Sequence, residues 1–229
     1  MSGLNTASFS LAALLSAAAL SGVAAGGIIV SEVHPSGSGN APYAADFFEI
    51  TNTGTSAVNI TGWRFDDNSN SFGSSVALTG ITSIPAGASV IFIESAAPAT
   101  TFAAFINAWF GGTAPAGLLI GSYTGSGVGL STGGDAVNIF DSTGARVTGV
   151  AFGASTTNVT FDNAAGIGGT TLPLPVISQL SVVGTNGVFS STGTPTEVGS
   201  PGVIPTPGAA ALLGLGAMGM VRRNRRSAR

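Results

Sequence analysis

The chain has one histidine, no cysteine and no lysine, so the side chains able to attack, carry protons or hold a metal can be taken one by one. Without cysteine there is no thiolate nucleophile, no thiolate metal site and no disulfide framework. His34 precedes Pro35 where an apolar run ends. To act as a general base it needs a nucleophilic serine and an orienting acid. The one Gly-x-Ser-x-Gly match, Gly129 to Gly133, lies in a glycine-rich stretch that leads into a strand pattern, not in the strand-to-helix turn of a nucleophile elbow. The expectation is a surface histidine at a strand end, and no residue is assigned a catalytic role. The glycine-rich stretch "GSGVGLSTGG" lacks the lysine of a phosphate loop and reads as a turn.

The remaining candidate is acidic. "DDNSNS" places Asp66, Asn68 and Asn70 at alternate positions, the spacing of the first three oxygen ligands of a calcium loop. Ser71 stands where the turn glycine belongs and Ala77 where the bidentate glutamate belongs, so this is not an EF-hand. The candidate metal site is a weak extracellular calcium site built from Asp66, Asp67, Asn68 and Asn70. Its competing reading is a polar loop closed by Asx-turns. No cofactor other than that calcium ion is implied.

The elements that must position these residues are short. Apolar runs rich in Val, Ile, Thr and Phe, bounded by Gly, Asn, Asp and Ser, predict strands near residues 28–34, 46–52, 58–65, 89–94, 118–123, 136–141 and 146–152. Weaker ones fall near 76–78, 158–161 and 179–189. "DSTG" at 141–144 is a hairpin connector with Gly144 free to take positive φ, and "NTGTSA" at 52–57 reads as another. One segment, "TTFAAFINAWF", has helical spacing: Phe102, Phe105, Ile106 and Trp109 form a stripe, Thr100 or Thr101 caps the start, and Gly111 and Gly112 stop it. The stripe is expected to pack on the edge of the sandwich. Many short strands without a βαβ rhythm predict an all-β domain, a β-sandwich with one short helix.

The order of the pieces is more specific. "IIVSEVHPSG", "DFFEITNTGTSAVNITGWRFDD", "ITSIPAGASVIFIE", "GGDAVNIFDSTGARVTGVAFG" and "GTPTEVGSPG" follow one another. This succession resembles the lamin-tail domain of secreted bacterial proteins. The resemblance implies an immunoglobulin-like sandwich over residues 26–203, used as an interaction module, with Glu32 and Glu49 on neighbouring strands. There they could share a cation, or Glu49 could pair with Arg64. Trp63, after Gly62, is expected to anchor the inter-sheet core.

Both ends read as addresses. Residues 1–25 combine an apolar stretch with Val23-Ala24-Ala25, a signal-peptide helix cut after Ala25. At the other end, an apolar run over 209–221 leads into Arg222, Arg223, Arg225, Arg226 and Arg229. As a helix it spans about 20 Å, short for a bilayer core of about 30 Å unless flanking residues help. Ahead of it stand Pro205, Thr206, Pro207 and Gly208. Residues 204–229 resemble the PEP-CTERM class of bacterial sorting signals, with Pro-Thr-Pro in place of Pro-Glu-Pro. That resemblance implies an exosortase-like protease as partner, alongside signal peptidase, and membrane contact through the C-terminal hydrophobic helix.

Charge limits the partners. Before the tail only Arg64 and Arg146 oppose ten acidic residues, giving 2 − 10 = −8. Such a surface has nothing to neutralise phosphates, so nucleic acid is not an expected partner. The expectation is an exported protein of the bacterial surface or extracellular space, non-enzymatic, structural or interacting. A calcium-assisted glycan-binding module is the alternative, and a hydrolase the third.

Overall fold

A computed structural model of the chain describes residues 27–125 and 127–203. In chain order the strands are β1 (Ile28–His34), β2 (Phe47–Asn52), β3 (Val58–Asn59), β4 (Arg64–Asp66), β5 (Val76–Ala77), β6 (Ser83–Ile84) and β7 (Ser89–Glu94). After the helix α1 (Pro98–Phe110) come β8 (Ile120–Tyr123), β9 (Asp135–Phe140), β10 (Arg146–Phe152) and β11 (Phe161–Asp162). The last are β12 (Val176–Ile177), β13 (Phe189–Ser190) and β14 (Val198–Gly199). Two five-stranded sheets face each other, ordered β11-β1-β2-β7-β8 and β12-β10-β9-β4-β5. The expected immunoglobulin-like sandwich is present. Phe48, Phe65, Phe92 and Tyr123 interlock at its centre, with Trp63 packed among them as expected.

The first sheet is buried on both faces, which alternation alone did not predict. Its inner face meets the second sheet; its outer face is covered by α1 and by the final segment of the domain, residues 189–203. A bulge at Ser31 makes this possible. Val30 pairs with Ile50 and Glu32 with Glu49, so the register shifts between them. Val30 and Val33 therefore both enter the inter-sheet core, while Glu32 turns outward with Ser31.

Four local expectations are corrected. Residues 58–65 are not one strand: Gly62, at φ +77°, turns the chain between β3, which pairs with β6, and β4 in the second sheet. For the same reason "NTGTSA" is no hairpin connector. Asn52 instead ties its side-chain amide to the carbonyls of Ser56, Ile84 and Pro85. The helix begins earlier than expected, with Pro98 in its first turn and Ala97 at the N-cap, so Thr100 and Thr101 lie inside it. Its end is as expected: Gly111 adopts φ 64°, and its N–H with that of Gly112 closes on Asn107 and Ile106. The aromatic stripe rests on the outer face of the sheet rather than on its edge, with Phe105 and Trp109 against Phe47, Ile91 and Ile93. The 141–144 connector forms as expected, Asp141 Oδ1 accepting from Thr143 and Ala145 with Gly144 at φ 90°.

Candidate functional site

The outer face of the first sheet gathers three glutamates, the histidine and a tyrosine near one seam. Glu32 on β1 and Glu49 on β2 stand directly opposite each other, each about 1% exposed. Glu32 Oε1 accepts from Thr160 Oγ1 at 2.7 Å and from the backbone N–H of Ser200 at 2.6 Å. Glu49 Oε1 accepts from Ser31 Oγ at 2.8 Å, and its Oε2 from the Gly202 N–H at 2.6 Å. The chain passes so close here that a Cβ on Gly199 would sit 2.6 Å from Glu32 Oε1. Burial pushes Glu32 up to about 8, with the Glu49 charge adding to it. Burial pushes Glu49 up to about 7, against the donors from Gly202 and Ser31 that favour its charged form.

Further along β1, a polar chain crosses the same face. His34 Nε2 lies 2.7 Å from Glu197 Oε1, and the Tyr43 hydroxyl donates to that oxygen at 2.9 Å. Trp109 Nε1 donates to the Tyr43 oxygen at 3.2 Å, tying the helix to the same carboxylate. Ser36 Oγ stands 3.3 Å from His34 Nδ1, so serine, histidine and acid follow in the order of a hydrolytic triad. Their environment assigns them a different job. Ser36 Oγ receives the Asn158 N–H at 3.1 Å, and all three side chains are buried beneath the chain that they hold. The expected surface histidine is thus corrected: His34 is fully buried because β1 continues under residues 189–203. Asp46, near the start of β2, is also driven up, to about 7, chiefly by burial.

The expected pairing of Glu49 with Arg64 does not occur, because β4 belongs to the second sheet. Arg64 donates to Ser75 Oγ and the Ser75 carbonyl and lies over the Phe72 ring. Glu197 and Tyr43 are the groups that sequence reasoning missed. The available signal was the glutamate of "GTPTEVGSPG", an acid set among small and apolar residues in a chain with few charges.

The calcium candidate forms a tight loop between β4 and β5. Asp66 Oδ2 accepts from Ser69 Oγ at 2.8 Å and the Ser71 N–H at 2.7 Å, while Asp67 Oδ1 accepts from the Ser69 N–H at 2.8 Å. Asn70 Nδ2 donates to the Asn68 carbonyl, and the Asn68 N–H reaches Asp135 Oδ1 at 2.9 Å. Burial raises Asp66 against those donors. Asp66, Asp67, Asn68 and Asn70 are thereby brought together by Asx-type turns, with Asp135 as an added neighbour. Arg146 donates to the Asn70 carbonyl at 3.3 Å. Among the described residues no group of three or more His, Asp and Glu side chains is arranged to hold a metal. Asn68, Asn70 and Asp135 line an open groove of about 640 Å³ together with Leu172, Pro173, Leu174 and Val176.

The signal segment and the sorting motif, Pro205 to Gly208 with Arg222, Arg223, Arg225 and Arg226, lie outside the described residues. No helix among the described residues is long and apolar enough to cross a membrane. A comparison with curated proteins finds no match. The family model described as Lamin Tail Domain matches residues 22–154, through β10 and short of the closing segment to which the sequence resemblance extended. Its immunoglobulin-like module is non-catalytic in character. The matched span is more than half of the 229 residues and holds eight of the ten strands of the two facing sheets, so the chain belongs to the lamin tail domain family.

Proposed function

We propose that the protein is an exported, non-enzymatic interaction or structural module of the bacterial envelope or extracellular matrix. One observation carries the non-enzymatic reading: His34, Glu32, Glu49 and Glu197, the groups best suited to proton transfer, are buried and bonded to the segment that closes the domain. A general acid or base must reach its substrate; these reach only their own chain. The near absence of charge on residues 189–203 and the lysine-free composition fit recognition of neutral glycans or protein edges rather than polyanions. Export rests on the two end segments, read as a signal peptide and as a tail that contacts the membrane until an exosortase-like protease removes it. Intact mass of the native protein from washed cells and from the medium tests this. A species running from near Gly26 to near Gly208 supports it; a species retaining Met1 and Arg229 overturns both sorting assignments.

The groove between the 66–70 loop and residues 172–176 favours a second reading, calcium-assisted glycan binding. It pairs oxygen-rich side chains with an exposed apolar wall formed by Leu172 and Val176. On that reading, millimolar calcium raises Tm by several degrees and Asp66→Asn abolishes the rise. An unchanged melt at millimolar calcium sinks it.

A further inference from the structure

We propose that Glu32 and Glu49 form a proton-dependent latch on residues 200–203, closed in mildly acidic solution and loosened as the solution becomes alkaline. The inference rests on the fold and is independent of how the tail is read. Up to Val198 the closing segment is held by ordinary backbone pairing: Val198 bonds to Asn158 and Thr160, and β14 pairs with β13. Beyond it the attachment changes character. Ser200 gives its N–H to Glu32, Pro201 has none to give, and Gly202 gives its N–H to Glu49. Val203 folds back on the Ser200 carbonyl at 2.9 Å. Side-chain packing adds contacts of Gly202 with Leu118 and of Val203 with Gly187. Two carboxylates on adjacent strands are therefore the polar anchors of these four residues.

The surroundings give the latch its sign. Glu32 faces Glu49 on one side and Asp162 of β11 on the other. His34 and Glu197, with Tyr43, lie further along β1. The helix α1 has no titratable side chain. Glu94, the titratable residue of β7, lies at the far end of that strand against Gly125, and Tyr123 of β8 points into the inter-sheet core. Arg64 and Arg146 belong to the second sheet. Ionising both glutamates thus sets two like charges opposite each other, buried and without a basic partner among the described residues.

Closure is compatible with a proton on Glu32: its donors converge on Oε1, and Oε2 is buried without a partner among the described residues. Glu49 accepts through both oxygens. Lifting residues 200–203 admits water to both carboxylates and lets them ionise at ordinary values, so closing takes up protons and alkaline pH favours opening. Opening also frees four residues ahead of residue 204, about 13 Å of extended chain.

Hydrogen exchange on the full chain tests the latch. Protection at Ser200 and Gly202, corrected for intrinsic exchange, is compared with that at Val137 and Val150 in the core. The ratio is expected to fall about tenfold or more between pH 5.5 and pH 8.5. An unchanged ratio overturns the latch. In Glu49→Gln, which keeps an acceptor but cannot ionise, the fall should shrink by at least half; an undiminished fall also overturns it. Should that variant not fold, Glu94→Gln decides from outside the latch. The wild-type fall persists there if it is local to the latch, and its disappearance assigns it elsewhere.

Discussion

Glu197 shows how much a single side chain carries here. Its Oε1 joins His34 and Tyr43, residues 163 and 154 positions away in the chain, and through Tyr43 it reaches Trp109. Removing it strands two buried polar groups, which costs more than the bond itself returned. Glu197→Ala is expected to lower unfolding free energy by about 3 kcal/mol, and Glu197→Gln by clearly less, because an amide oxygen still accepts. Denaturant melts check this; a loss below about 1 kcal/mol for the alanine variant would show that the network holds nothing. The sequence displayed this glutamate without its role. A carboxylate with no basic neighbour looks like a surface residue until the chain that buries it is in place.

At the scale of elements, α1 was largely legible. The spacing of Phe102, Phe105 and Trp109 and the glycines after Phe110 fixed its face and its end, although Ile106 of the expected stripe stays outside the packed cluster. Its start was not, because Pro98 suits the first turn better than a threonine cap suits the second, and propensity could not rank the two. The structure leaves Ala97 at the N-cap with no side-chain acceptor. Ala97→Ser is therefore expected to stabilise the protein by about 0.5–1 kcal/mol, read as a small rise in Tm. No gain would mean that the first turn is already satisfied through the Ser95 contact to the Ala97 N–H. The strand at 58–65 failed for the opposite reason. Its apolar pattern is continuous, and one glycine at positive φ divides it between two sheets.

For the whole molecule, buried acids set the response to pH. Glu32 stands near 8, and Glu49 and Asp46 near 7, against ordinary values of 4.5, 4.5 and 3.8. Between roughly pH 4 and pH 8 the folded protein therefore holds more protons than the unfolded chain, so stability falls as pH rises through that window and levels off above it. Asp141 acts in the opposite sense, its hydroxyl and backbone donors lowering it, but it is solvent-exposed and small in effect. Thermal melts should give a higher Tm at pH 5 than at pH 8, and Glu32→Gln should flatten the profile. A Tm that rises from pH 5 to pH 8 would contradict the burial of these carboxylates as neutral acids.

The sequence by itself determined the β-sandwich, the family, the turn at Gly144 and most of the helical stripe, because each depends on local spacing and on residues whose backbone preferences are strong. It also brought Asp66, Asp67, Asn68 and Asn70 within one loop, since five consecutive positions cannot be far apart. Only the tertiary structure decided which face Glu32 occupies, because the bulge at Ser31 reverses the alternation that the strand pattern implies. It alone turned His34 from a surface group into a buried one, and it alone showed that the glutamates serve the closing segment. Those outcomes depend on contacts between residues more than 150 positions apart. Long-range register and burial are properties of the packed chain, and periodicity along the strand does not encode them.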